Sequence, residues 1–223
     1  MDPSTRSNCG TVALNGCQGR FKNGVGTDSS PKVCCQNDVY RDEAVPAPVR
    51  AFLESALCCR WSAHLRESSR EYLTPWEPIW PSDDLSRAGF RRRLRRYAED
   101  IAADRSYPFI VFRESDGAMI GGITLANVRR GIVQAGTIGY WVGQPHAHRG
   151  YMTSALRVLL PSLFGELNLH RIEAACIPSN TASIRVLEKC GFTREGLARR
   201  YLCINGVWQD HLLFGLLHED FRG

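Results

Sequence analysis

The chain has 223 residues, 43% hydrophobic and 23% charged, with a net charge of +5. That length suits one domain with an appendage and is enough to bury a proper core. No run of 18 apolar residues occurs, which excludes a membrane-spanning helix; no basic segment leads into an apolar one at the start, so the expected location is cytoplasmic.

The basic excess is carried by arginine, with lysine only at positions 22, 32 and 189. It permits contact with an anionic cofactor or a ribosomal surface and demands neither. Nine cysteines include two adjacent pairs, at 34–35 and 58–59, and no Cys-x-x-Cys. No zinc or other metal site is therefore expected. Cys176, Cys190 and Cys203 read as buried thiols.

Residues 1–47 are rich in Gly, Ser, Asn, Asp and Pro, hold four cysteines and keep no period. They read as an irregular or loosely ordered extension. A helical pattern follows over residues 51–65. Residues 73–81 form a stiff loop in which three prolines alternate with Trp76 and Trp80. The tryptophans either pin the loop to the core or wall a substrate pocket. Ser82, Asp83 and Asp84 are expected to cap an arginine-rich helix, with acids where the helix dipole favours them. Phe90, Leu94, Tyr97 and Ile101 fall on its inward face. The run Arg91, Arg92, Arg93, Arg95 and Arg96 is either the wet face of that helix or a contact for RNA.

Three strands follow, at 107–113, 119–126 and 132–142, the first two joined by an Asp-Gly turn at 116–117. From Gly150 a helix places Met152, Ala155, Leu156, Leu159, Leu160, Leu163, Phe164 and Leu167 on one face. Pro161 inside it is expected to kink or weaken it. Residues 170–177 read as a central strand. Asn180 caps a short helix to Lys189, with Ile184 and Leu187 inward, and Gly191 stops it. Two last strands, at 193–204 and 207–217, join at Asn205-Gly206, a strong hairpin signal.

The organising stretch is residues 139–152. A strand ends, a turn follows at Gly143, Gln144 and Pro145, and a helix starts at Gly150. Helix starts present unpaired N–H groups and partial positive charge, so they bind phosphate. Gly150 lets an anion approach the backbone closely, and His148 and Arg149 add donors. The plainer reading is a strand-to-helix turn with a chance glycine.

Several short motifs occur in a set order. They include Pro-Trp-Glu-Pro at 75–78, Gly-Gly-Ile-Thr-Leu at 121–125, Arg-Gly-Tyr-Met-Thr at 149–153 and Leu-His-Arg-Ile-Glu-Ala at 169–174. Then come Pro-x-Asn-x-x-Ser at 178–183, Leu-Glu-Lys-Cys-Gly-Phe at 187–192, Glu-Gly-Leu-Ala-Arg at 195–199 and Ile-Asn-Gly-Val-Trp-Gln-Asp-His at 204–211. Together, over residues 61–221, they resemble the GNAT superfamily of acetyl-CoA-dependent N-acetyltransferases. Within it they are similar to the RimJ/RimL type, which acetylates the N-terminal amine of ribosomal proteins.

That resemblance implies an α/β fold with a mixed, mostly antiparallel sheet and a splayed central strand pair, in a domain spanning residues 48–223. It implies acetyl-CoA as co-substrate. Residues 147–152 match the pyrophosphate loop Arg/Gln-x-x-Gly-x-Gly/Ala, departing at Ala147 and Met152. The loop would then rely on backbone N–H groups of Gly150, Tyr151, Met152 and Thr153, helped by His148 and Arg149. Tyr140, Trp141 and Val142 would pair edge-on with the pantetheine arm. Asn180 would contact pantetheine or hold the splay, although a plain helix cap accounts for it equally. Ser183 would protonate the leaving thiolate, or is an ordinary polar residue of the first helical turn. The tyrosine many relatives carry four residues later is Leu187 here.

The base does not transfer. RimL-like enzymes carry Glu before the tyrosine of the next strand, and here Arg200 precedes Tyr201. Glu195, Asp210, Glu77 and His211 are the substitutes. Nor does a convincing first strand of the family's type precede residue 61; residues 48–50 match it poorly. The function expected is acetylation of a protein N-terminal amine, most simply Ala or Ser of a ribosomal protein. The alternatives are acetylation of a polyamine or amino-sugar, and a non-catalytic module docking on the ribosome or RNA through the 91–96 face.

Overall fold

The structure, a computed structural model, describes residues 49–52 and 58–221. The extension expected over residues 1–47 lies outside these. Seven strands form one sheet in the order β1-β2-β3-β4-β5-β7-β6. They are β1 (Val49–Phe52), β2 (Tyr107–Arg113), β3 (Met119–Arg129), β4 (Ala135–Val142), β5 (Arg171–Cys176), β6 (Thr193–Ile204) and β7 (Val207–Leu217). The helices are α1 (Cys58–Ser68), α2 (Arg70–Leu73), α3 (Arg87–Ala102), α4 (Tyr151–Phe164) and α5 (Thr181–Lys189). None is long and apolar enough to cross a membrane.

Every pairing is antiparallel except β4 with β5, which run parallel and pair only over Ala135↔Arg171, Gly136↔Ile172 and Thr137↔Glu173. Beyond Thr137, β4 stays bonded to β3 as far as Val142, while β5 stays bonded to β7 as far as Cys176. The two centre strands therefore diverge, as expected of a splayed pair.

α4 is helical because its apolar residues recur every three to four positions. Met152, Ala155, Leu156, Leu159, Leu160, Leu163 and Phe164 are all buried. With α5 they cover one sheet face through Ile123, Leu125, Ile138, Ile172, Phe214 and Leu216. Truncating a side chain such as Leu160 to Ala would cost about 2–5 kcal/mol. Leu167 lies past the helix end and is half-buried. Pro161 does not break α4. It sits in the last turn, and its carbonyl accepts the N–H of Gly165 at 2.8 Å as the helix stops.

On the opposite face, α1 and α3 contribute Ser62, Arg66, Phe90, Arg93 and Tyr97 to a pocket floored by Gly122, Thr124 and Trp141. The pair Gly121-Gly122 makes room for Trp141. A Cβ on Gly121 would lie 2.1 Å from the Trp141 carbonyl oxygen, and one on Gly122 would lie 2.8 Å from its indole nitrogen.

Several boundaries differ from the sequence reading. Residues 51–52 belong to β1, not to a helix, and α1 starts only at Cys58. A first strand therefore exists, paired antiparallel to β2. The cap of α3 is Ser86, whose hydroxyl accepts the Gly89 N–H at 3.0 Å, and the first turn holds no acid. Asp83 and Asp84 precede that turn and pair with Arg92 and Arg93 instead. Only Phe90 of the four inward residues is fully buried; Leu94, Tyr97 and Ile101 are half-buried. β4 begins at Ala135 because Ile132 is wholly exposed in the preceding loop. Cys176 and Cys190 are buried, but Cys203 is exposed on the edge strand β6.

Candidate active site

The divergence of β4 and β5 leaves one edge of β4 without a strand partner beyond Thr137. That edge holds Tyr140, Trp141 and Val142. Alternation along the strand sends Tyr140 to the α4/α5 face and Trp141 to the α1/α3 face. The Tyr140 hydroxyl lies 2.9 Å from the Ser183 hydroxyl and donates toward the Ser183 carbonyl at 3.3 Å. Burial pushes the Tyr140 phenol well above its usual range, the Ser183 bond offsetting part of this. Asn180 Oδ1 accepts the Ser183 N–H at 3.0 Å, capping α5. Asn180, Ser183 and Tyr140 thus form one hydrogen-bonded cluster. The helix-cap role of Asn180 is present in full.

At the end of β4 the chain turns through Gly143 into the loop before α4. His148 and Gly150 both have left-handed backbones, with φ of 58° and 78°. Gly150 caps α4 with no side-chain hydrogen bond. The first-turn N–H groups of Tyr151, Met152 and Thr153 therefore face outward at the positive end of the dipole. A Cβ on Gly150 would meet nothing within 4 Å. The open approach and uncapped amides fit the phosphates of coenzyme A.

Two residues missed by the sequence reading stand beside this helix start. Arg113, at the end of β2, pairs with Asp116 and donates to the Tyr151 hydroxyl at 3.3 Å, which lowers the Tyr151 phenol. The Nδ1 of His146 is buried without a hydrogen-bond partner. Burial lowers the His146 imidazole, and Arg113 and Arg149 lower it further. Arg113 and Arg149 bring positive charge to this end, Asp116 offsetting part of it, which suits an anion. Arg113 could not be found from local spacing, because it lies 38 residues before Tyr151.

The proposed bases are scattered. Glu77 bonds Arg66 and the Trp80 indole N–H, each at 2.6 Å. Arg66 lies between two rings, 4.2 Å from Trp80 and 5.0 Å from Trp141. The aromatic loop is therefore pinned to β4 through Arg66, and its Glu77 carbonyl also accepts the Asn205 N–H at 2.9 Å. Glu195, on β6, is held by both terminal nitrogens of Arg171, which lowers its carboxyl. Asp210 accepts the Arg200 N–H at 2.8 Å, fastening a bulge of β6 where Arg200 has φ of 45°. His211 is 3% exposed, with Nδ1 at 3.0 Å from the Gln209 carbonyl.

Among the described residues no group of three or more His, Cys, Asp or Glu could hold a metal. Arg91, Arg92, Arg95 and Arg96 are exposed on α3, and Arg93 is partly buried against Asp84.

The model of the acetyltransferase (GNAT) domain matches residues 56–193. The probable N-acetyltransferase YjcK of Bacillus subtilis is 40% identical over 156 residues, 70% of this chain and 86% of the relative. The [ribosomal protein uS5]-alanine N-acetyltransferase of Escherichia coli is 33% identical over 153 residues, 69% of this chain and 79% of its own. Among solved structures, Mycobacterium smegmatis RimJ in complex with CoA-disulfide superposes with a TM-score of 0.74 at 31% identity, over 78% of this chain and 84% of that one.

Proposed function

The chain belongs to the GNAT acetyltransferase family and uses acetyl-CoA as its acetyl donor, and from that premise we propose that it acetylates the N-terminal α-amine of a protein, a ribosomal protein beginning with Ala or Ser. The observation that carries the acceptor class is the 33% identity, over 69% of this chain, to a relative named for acetylating the alanine of ribosomal protein uS5. The domain is taken as residues 48–223, and the reaction as cytoplasmic.

Acetyl-CoA supplies an acetyl group activated as a thioester. Gly150, Tyr151, Met152 and Thr153 offer the α4 N–H groups to its phosphates, with His148 and Arg149 alongside. Tyr140, Trp141 and Val142 present the free β4 edge to its arm, and Asn180 fixes the α5 start beside it. Ser183, oriented by Tyr140, donates a proton to the departing sulfur. Much of the rate comes from holding amine and thioester in register. Choosing an α-amine also lightens the chemistry: it titrates near 8 and lysine near 10.4, so freeing its lone pair costs roughly 3 kcal/mol less.

The test is to mix the protein with acetyl-CoA and peptides starting with Ala, Ser or Met, alongside polyamines, and to follow thiol release and product mass. Acetylation confined to peptide α-amines is the expected result. Turnover on polyamines alone would overturn the protein acceptor.

A further inference from the structure

The reaction needs a proton acceptor, and the motif resemblance supplies none. We propose that His211 is that residue: it takes the proton of the incoming α-amine, directly or through one water, on the sheet face opposite Ser183. The assignment rests on the amine-acetylating function above.

His211 precedes Leu212, which pairs with Cys176, the last residue of β5. Leu212, Phe214 and Leu216 all enter the core under α4 and α5. Strand alternation then sends His211, Leu213 and Gly215 to the other face. That is the Trp141 face, and it is open at the divergence: a Cβ on Gly139 of β4 would meet nothing within 4 Å. An amine entering there approaches a thioester in the gap from one face, while Ser183 serves it from the other.

A backbone carbonyl only accepts, so the 3.0 Å contact with the Gln209 oxygen puts the hydrogen on Nδ1. Nε2 keeps the basic lone pair. The three carboxylates of the candidate set are otherwise engaged: Glu77 by Arg66 and Trp80, Glu195 by Arg171, Asp210 by the Arg200 N–H. Other titratable and charged groups share that face. Tyr201 of β6 stands edge-on at 5.8 Å. Arg171, Glu173 and Glu195 lie further down the same face, joined to each other. Asp210 and Cys176 belong to the opposite face.

An α-ammonium gives one proton to His211 Nε2, which passes it to solvent. The freed lone pair forms the N–C bond to the acetyl carbon. The C–S bond breaks with its electron pair on sulfur, which takes a proton from Ser183. The nitrogen loses its surplus proton by the same His211 route, and solvent restores Ser183. The products are an N-acetyl peptide and CoA thiol.

The experiment uses the full chain with acetyl-CoA and an Ala-starting peptide. His211→Asn keeps an N–H donor for the Gln209 carbonyl and removes Nε2. Calorimetric CoA affinity should stay within twofold of the parent, while kcat at pH 7 falls by at least ~10²-fold. The deficit should shrink above about pH 8, where the α-amine is neutral unaided. Imidazole should restore part of the rate to His211→Gly. A kcat within threefold of the parent would overturn the assignment. So would a deficit constant with pH and deaf to imidazole, which marks a structural role. A parent active only on another amine overturns the acceptor class; the same loss is then required of His211→Asn on that amine. A parent that acetylates nothing overturns both.

Discussion

Replacing Gly150 by Ala should separate backbone strain from cofactor contact. The residue has φ of 78°, where a side chain costs about 1–2 kcal/mol. Gly131 has nearly the same conformation, φ of 71°, and a Cβ at either site would meet nothing within 4 Å. The two substitutions should therefore lower unfolding free energy equally, moving Tm by a few degrees for a domain of this size. They should differ in ligand binding. At Gly150 the new methyl occupies the path by which an anion reaches the α4 N–H groups. Losing one charge-assisted hydrogen bond is worth about 1.5–3 kcal/mol, or about ten- to a hundredfold in Kd. Thermal melts of both variants without ligand, then calorimetric titration with CoA, make the comparison. If Gly150→Ala binds CoA as the parent does, or Gly131→Ala weakens it equally, the phosphate cradle is misplaced.

Tyr140→Phe removes the hydroxyl that holds Ser183; about 1 kcal/mol of stability should go. Its kcat should drop with CoA affinity intact, and an unchanged kcat would detach Tyr140 from proton donation. Glu77→Gln keeps an acceptor for the Trp80 indole but takes the charge from Arg66, which is 14% exposed between its rings. Denaturant melts should show a loss on the order of 1–3 kcal/mol; a neutral result would mean Arg66 stacks without its carboxylate. Asp116 should titrate at about 2, because Arg113 and the Ala118 N–H hold its charged form. With the folded value depressed, the pairing stabilises the fold above the ordinary carboxylate range and is lost as pH falls through about 2. Carboxyl NMR checks this: a midpoint near 4 would mean that Arg113 is not paired in solution.

Period and turn chemistry made much of the fold legible. β2, β6 and β7 begin and end where alternation and the Asn205-Gly206 turn predicted, because those signals act within a few residues. α4 was equally plain, its apolar stripe being unbroken by Pro161 so near the end. The start of α3 was misread because Ser82 and Ser86 both look like caps, and only the fold decides which hydroxyl meets an amide. β1 escaped because four residues paired to one neighbour leave too short a pattern to see. The helix starts at residues 150–153 and 180–183 were legible since each is a contiguous stretch with its own cap residue. Arg113, His146 and the Tyr140–Ser183 contact were not, because each joins elements distant in sequence. The four base candidates could be collected by residue type, but only the partners of Glu77, Glu195 and Asp210 distinguish them from His211.

Three residue pairs between β4 and β5 are the whole of the strand ladder joining β1–β4 to β5–β7. The backbone passes from one block to the other once, by way of α4. A break after α4 would leave two pieces, each owning complete strands, able to meet again along a short zipper and the underside of one helix. Whatever lies between the diverging strands touches both pieces and fastens them. The molecule is in that sense a clasp, and a ligand held between its diverging strands would be the pin.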